Sequence, residues 1–242
     1  MTLLLLAGTG DGRRLAWGLV DIGLPVVVSL AGVTRMPEPL PLPSRVGGFG
    51  GEAGFVDYLE QAGITAVLDA THPFAARITE RTARVCAARG LPYLQIMRPE
   101  WEPVTEDDWT MIDAEEDAAR HVRIGSTVFL AAGRQSLHRF AGLLGCRVIA
   151  RQIDPPTEPF PFEGGEFLIG RPPFSVERDE GLFAQLGVDW IVVKNAGGEE
   201  SRSKLIAARN LGIPVLMIRR PPMPDVPRVA SVAQALEWVR AL

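Results

Sequence analysis

The chain has 242 residues, 47% of them hydrophobic and 22% charged, with a mean hydropathy of +0.12. Its 25 Gly and 20 Pro fall short of a low-complexity coil, so a well-buried globular protein is predicted. A net charge of −4 and a pI near 5.5 exclude a general basic field for nucleic acid and leave any bound anion to local arginines.

The chain opens on Thr2-Leu3-Leu4-Leu5-Leu6 and breaks at Gly8. It lacks the basic region and long apolar stretch of a signal peptide, and no run approaches the roughly 20 apolar residues of a membrane span. A cytoplasmic protein without membrane contact is expected. Apolar runs at 3–7, 26–30, 66–70 and 93–97 lack polar alternation, as strands buried on both faces do. Helical-period stretches at 13–22, 54–62 and 75–89 lie between them. The second half repeats the strand pattern at 128–132, 147–151, 190–194 and 215–219. Strand–helix alternation with tight turns predicts parallel sheets covered by helices. The Pro-rich stretches 37–43, 155–161 and 221–227 read as loops and as candidate cleft walls.

The two halves resemble each other. Leu91-Pro92-Tyr93-Leu94-Gln95-Ile96-Met97-Arg98-Pro99 recurs as Ile213-Pro214-Val215-Leu216-Met217-Ile218-Arg219-Arg220-Pro221. Residues 60–68 match 184–192, and 85–89 match 206–209, all at displacements of 118 to 125. Each half ends in a capping residue, Asp113 or Ser231, and an amphipathic run, 114–122 or 232–239. The reading is α/β, with two similar Rossmann-like parallel-sheet domains, 1–124 and 125–242, and the active site in the cleft between them. Open α/β sheets bind ligands at the C-terminal ends of their strands.

Gly8-Thr9-Gly10-Asp11-Gly12 follows the first strand and opens the first helix, where glycines let backbone N–H groups approach a pyrophosphate. Arg13 stands where the third glycine of the dinucleotide fingerprint falls, so the match is imperfect. No acid follows strand two before Glu38 to hold a ribose 2′-hydroxyl, whereas Ser29, Thr34 and Arg35 suit a 2′-phosphate, which favours NADP over NAD. A solvated loop arginine is the plain alternative. The cluster Gly47-Gly48-Phe49-Gly50-Gly51 permits close ligand approach, with Gly50 as candidate, or is a flexible loop without contact.

Asp69-Ala70-Thr71-His72-Pro73-Phe74-Ala75 lies where a strand ends and a helix begins. Thr71 or His72 caps that helix, or meets substrate or cofactor, and Pro73 suits its first turn. His121 and His138 fall within helical runs and read as surface or packing residues. No histidine pair at i, i+4 and no His/carboxylate cluster is present, so no metal site is expected, and no nucleophile elbow or Ser/His/Asp arrangement is visible. Cys86 and Cys146 form neither a ligand pattern nor a disulfide framework and read as buried thiols.

In the second half, Gly133-Arg134-Gln135 occupies the turn equivalent to the first Gly-rich loop. Arg151-Gln152 ends the next strand, Arg171 precedes Pro172-Pro173, and Lys194-Asn195 ends another. Polar groups at successive strand ends suggest a multiply charged acid as ligand. Arginine outnumbers lysine 23 to 2, a bias that codon usage accounts for, but its consequence is a set of planar, bidentate anion binders.

On these residues the sequence resembles the precorrin-6A reductase family of cobalamin biosynthesis. The stretches that carry the likeness are 7–13, 47–53, 69–77, 133–135, 150–156, 171–175, 194–198, 204–209 and 214–221. Ala7 and Ala196 depart from the Gly and Ser more usual there. The resemblance implies NADPH-dependent reduction of one ring double bond of precorrin-6A to give precorrin-6B. It also implies a tetrapyrrole substrate with many carboxylates. It assigns Gly8, Thr9, Gly10, Asp11 and Gly12 to the pyrophosphate side of NADPH and Arg35 to its 2′-phosphate. Thr71 and His72 fall near the nicotinamide, and Arg77, Arg134, Gln135, Arg151, Lys194 and Asn195 orient the acid. For the proton donor, His72, water and the substrate's own acid group stay open. Two other readings remain, a two-lobed nucleotide sensor without chemistry and a tetrapyrrole methyltransferase. Oligomeric state is not legible.

Overall fold

Consecutive leucines at the chain start form a strand because both sheet faces are covered. In β1 (Thr2–Ala7), Leu3 and Leu5 face a core completed by Leu15, Leu19, Ala235 and Val239, while Leu4 and Leu6 face Phe55, Leu59, Cys86 and Tyr93. Each such leucine, fully withdrawn from water, contributes on the order of 2 kcal/mol. The computed structural model describes residues 1–32 and 39–242, so Thr34 and Arg35 lie outside the described residues.

After β1 come α1 (Gly10–Gly18), β2 (Val26–Leu30), β3 (Ser44–Val46), α2 (Gly51–Gln61), β4 (Ile64–Asp69), α3 (Ala76–Arg89) and β5 (Tyr93–Ile96). The second series is β6 (Trp109–Ile112), β7 (Thr127–Ala131), β8 (Arg147–Gln152), β9 (Gly165–Ile169), α4 (Val176–Leu186), β10 (Trp190–Lys194), α5 (Ser203–Leu211) and β11 (Val215–Ile218). The described chain then adds β12 (Arg228–Val229) and α6 (Val232–Arg240). Every strand pairing is parallel, and the two sheets run β12-β5-β4-β1-β2-β3 and β6-β11-β10-β7-β8-β9. The α/β reading with two similar Rossmann-like sheets therefore holds.

The single break expected at residue 124 does not. One compact unit is Met1–Pro99 with Pro221–Leu242, and the other is Glu100–Arg220. The reason is an exchange of sixth strands. β6 follows the first series yet pairs with β11, and β12 follows the second series yet pairs with β5. Their helices travel with them. α6 packs Ala235 and Val239 into the first unit's core, and the 3₁₀ helix Glu115–Arg120 stays with the second unit.

Ser231 caps α6 as expected: its Oγ accepts the Gln234 N–H at 3.3 Å, and Gln234 Oε1 accepts the Ser231 N–H at 3.2 Å. Asp113 does not cap its helix. The Asp117 carboxylate accepts the Ala114 N–H at 3.0 Å instead, and Asp113 pairs with Arg219 at 2.9 Å. The expected amphipathic run over 114–122 is this short 3₁₀ helix.

Candidate active site

The turn after β1 is built by Thr9. Its Oγ1 accepts the Gly12 N–H at 3.1 Å, capping α1, and donates to the Ala70 carbonyl at 2.9 Å, tying this turn to the end of β4. A Cβ on Gly12 would stand 3.0 Å from Ala7 Cβ, so Gly12 does the close-packing work assigned to a fingerprint's third glycine. A Cβ on Gly8 would meet nothing within 4 Å. Asp11 is 6% exposed, its Oδ1 held by Arg14 at 2.5 Å and its Oδ2 by Arg98 at 3.2 Å. Asp11 is thus an anchor for two arginines.

At the end of β4 the buried Asp69 accepts three hydrogen bonds, from Thr71 N–H at 2.9 Å, Thr79 Oγ1 at 2.9 Å and Tyr93 OH at 2.8 Å. Burial, then the Asp69 charge, raises the Tyr93 phenol well above its ordinary range, so it remains a donor. His72 is exposed, and its Nδ1 accepts the Phe74 N–H at 3.2 Å, which leaves the proton of the neutral ring on Nε2. Neither Thr71 nor His72 caps α3, whose cap position is Ala75. Arg77 is exposed in the first turn of α3.

The Gly-rich stretch after β3 is held by Arg45. Arg45 donates to Ser29 Oγ at 2.8 Å and to the carbonyls of Gly47 and Gly48 at 2.9 and 2.8 Å, and its guanidinium lies 4.0 Å from the Phe49 ring centre. Gly50 stands at the cap position before α2 with φ +75°, a left-handed conformation that glycine adopts without strain.

The second unit repeats this edge with other side chains. Leu6 pairs with Asp69 as Ala131 pairs with Val193, and Asp69 lies opposite Gln95 as Val193 lies opposite Met217. On that register Gly133 stands at the place of Gly8, Lys194 at that of Ala70 and Asn195 at that of Thr71. Arg134 and Gln135 are exposed. Leu130, Gly133, Arg134, Leu137, Ala150, Arg151 and Gln152 line a shallow pocket at this edge. Arg151 is mostly buried, with Nη1 on the fully buried Asp179 at 2.5 Å and its guanidinium 3.9 Å from the Phe174 ring centre.

Two of the expected substrate ligands have partners within the chain. Lys194 Nζ lies 3.0 Å from Glu115 and 3.0 Å from Ser136 Oγ, and Glu115 also pairs with Arg139 at 2.8 Å. Asn195, 1% exposed, receives the Trp101 N–H at 2.8 Å and donates to Trp101 O at 3.0 Å and Glu100 at 3.2 Å. Its carbonyl accepts Arg220 Nε at 2.8 Å. Asn195 fastens both chain crossings, near 100 and near 220.

Residues 2–240 match the family model described as Precorrin-6x reductase CbiJ/CobK. The chain belongs to the precorrin-6x reductase family. It is 42% identical over 244 residues to a protein of Rhodococcus erythropolis named Precorrin-6A reductase, covering 99% of this chain and 98% of the relative. A Rhodobacter capsulatus protein of the same name is 40% identical over 238 residues, covering 98% and 95%. A solved structure titled CobK precorrin-6A reductase aligns with a TM-score of 0.94 at 39% identity, covering 100% of this chain and 96% of that one. As a member of the precorrin-6x reductase family, the protein is an oxidoreductase of cobalamin biosynthesis acting on a CH–CH bond. The sensor and methyltransferase readings have no support.

In this precorrin-6x reductase the first unit gathers Gly8, Thr9, Gly10, Asp11 and Gly12 with Thr71 and His72 through the Thr9–Ala70 bond. The second unit gathers Arg134 with Arg151. Sequence reasoning missed Arg98, Arg45 and Glu115 as residues of these edges. Arg98 carried one signal, its recurrence as Arg220 in the repeat. Among the described residues no His, Cys, Asp and Glu side chains group as metal ligands, and no helix is long and apolar enough to cross a membrane.

Proposed function

We propose that the protein reduces one ring double bond of precorrin-6A to give precorrin-6B, with NADPH as reductant, in the cytoplasm. The family match over residues 2–240 carries this reading, joined to relatives named Precorrin-6A reductase along nearly their whole length.

The β1–α1 turn fits a pyrophosphate on three counts. Gly8 leaves open space beside the backbone, Gly12 draws α1 onto β1, and the helix N-terminus carries N–H groups without intrahelical partners. The buried carboxylate of Asp11 argues against an anion there, but Arg14 and Arg98 counter its charge. Gly50 and Thr71 complete the cofactor set, and Arg35 is assigned to the 2′-phosphate.

Bound NADPH supplies a hydride for one carbon of the conjugated macrocycle, while a proton goes to the neighbouring carbon. The protein's part is alignment and charge. His72, exposed beside Thr71, is the side chain assigned to the proton, with water and the substrate's own acid group as the other sources. Arg77, Arg134 and Gln135, all exposed, are assigned to the substrate's carboxylates, with Arg151 adding positive charge behind Arg134.

Calorimetric titration with NADPH and with NADH tests the cofactor, followed by turnover with precorrin-6A. NADPH binding at least tenfold tighter than NADH binding is expected, with the difference lost in Arg35→Ala. Equal binding of both cofactors overturns the NADPH assignment, and NADPH binding without oxidation by precorrin-6A overturns the substrate.

A further inference from the structure

A buried carboxylate is costly unless its oxygens are satisfied, and that cost needs a reason. Asp69 is 0% exposed, and its three donors come from three segments: the backbone of Thr71, the α3 residue Thr79 and the β5 residue Tyr93. Thr79 Oγ1 also lies 3.4 Å from Thr71 Oγ1, so Thr71 is tied to the network by both its backbone and its side chain. One residue before it, Ala70 accepts from Thr9 Oγ1 and donates its N–H to the Leu6 carbonyl at 2.8 Å. One residue after it stands His72.

The second sheet of the same chain supplies the control. On the register given above, Asp69 corresponds to Val193 and Tyr93 to Val215, which are 0% and 1% exposed. The fold builds the same strands with an apolar pair where the first sheet keeps a carboxylate and a phenol. Strand packing therefore does not require Asp69. What differs is the segment that follows: in the second unit it fastens the chain crossing through Asn195, and in the first it carries Thr71 and His72.

We infer that Asp69 is a positioning residue for the reduction proposed above, on which this inference rests: it holds the loop of Thr71 and His72 in its working geometry at the edge of the first sheet. It touches neither cofactor nor substrate. Its effect passes through the Thr71 N–H and through Thr79 to the nicotinamide end of the cofactor, where Thr71 and His72 are assigned. It so reaches the rate of the chemical step more than the grip on the nucleotide, whose pyrophosphate is assigned to the β1–α1 turn.

The test is steady-state kinetics with NADPH and precorrin-6A on the full chain. Asp69→Val combined with Tyr93→Phe, which leaves no buried phenol without an acceptor, is expected to lower kcat at least tenfold. The KM for NADPH should stay within threefold. Asp69→Asn keeps an acceptor for Thr71 and should retain kcat within threefold. Should the double variant fail to fold, Thr79→Val stands in, with an expected three- to tenfold loss of kcat at unchanged KM. Wild-type kcat per folded molecule in the double variant or in Thr79→Val, with only a lower Tm, overturns the inference, as does a parallel change in kcat and KM. A wild-type protein that does not oxidise NADPH with precorrin-6A overturns the reductase reading as well, and the two failures are read in separate lanes of one assay.

Discussion

Arg98 Nε lies 3.2 Å from Asp11 Oδ2, joining the segment after β5 to the first turn of α1. Both side chains are largely withdrawn from water, at 15% and 9% exposure, and Asp11 divides its charge between Arg98 and Arg14. Without Arg98 the helix N-terminus would present a less well compensated carboxylate to any incoming phosphate.

Arg98→Ala should therefore cost about 1–2 kcal/mol of stability, below the range for stranding a buried charge because Arg14 stays on Asp11. It should also weaken NADPH binding roughly tenfold. Adding Asp11→Asn should restore most of both, a coupling that urea melts and calorimetry of the two single variants and the double variant measure.

The two outer glycines of the first turn should separate stability from binding. A Cβ on Gly12 would stand 3.0 and 3.1 Å from Ala7 Cβ and Cα, so Gly12→Ala must push α1 off β1. The overpacking exceeds the gain in helix propensity, for a net loss of about 1 kcal/mol. Gly8→Ala meets nothing within 4 Å and should change stability by less than about 0.5 kcal/mol, while weakening NADPH roughly tenfold by filling the space its pyrophosphate needs. Thermal melts with and without NADPH distinguish the two.

Arg151 and Arg134 border one pocket but should answer mutation oppositely. Arg151→Ala strands the fully buried Asp179, left with Ser203 Oγ at 2.8 Å, and should cost about 3–5 kcal/mol. Arg134→Ala, at an exposed position, should leave the urea midpoint almost unchanged and raise the KM for precorrin-6A several-fold.

Burial, with the nearby Asp69 charge, pushes the Cys86 thiol from 9.0 up to about 12. The unfolded thiol loses its proton near 9.0 and the folded one near 12, so this contribution is whole below pH 9.0 and drains away as pH rises through that window. Tyr93, raised by burial and by Asp69, acts in the same direction. Urea midpoints should fall steeply between about pH 9 and 11, and less steeply in Cys86→Ala. Below pH 9 the native thiol should resist maleimide.

Eight of the twelve strands among the described residues were legible because their apolar runs are buried on both faces, and periodicity reports that directly. The four missed strands are sheet edges. Trp109–Ile112 is half exposed along most of its length, and Arg228–Val229 is two residues long. The exchange was invisible for a different reason: the likeness between the halves is the same whichever sheet the tail joins. At the site, the Gly8–Gly12 turn was readable because glycine spacing reflects backbone geometry. The partners of Lys194 and Asn195 within the chain were not readable, because a polar residue at a strand end carries no trace of Glu115 or Trp101, far away in sequence.

The exchange also sets an order of events during synthesis. The second unit is one unbroken stretch, Glu100–Arg220, with every strand at hand once that stretch has emerged from the ribosome. The first unit is begun earlier but waits: Arg228 bonds Gln95 across 133 residues, and until it arrives β5 is an open edge. The portion made first is thus the portion completed last, and its bare β5 edge is the nascent chain's point of exposure to wrong partners.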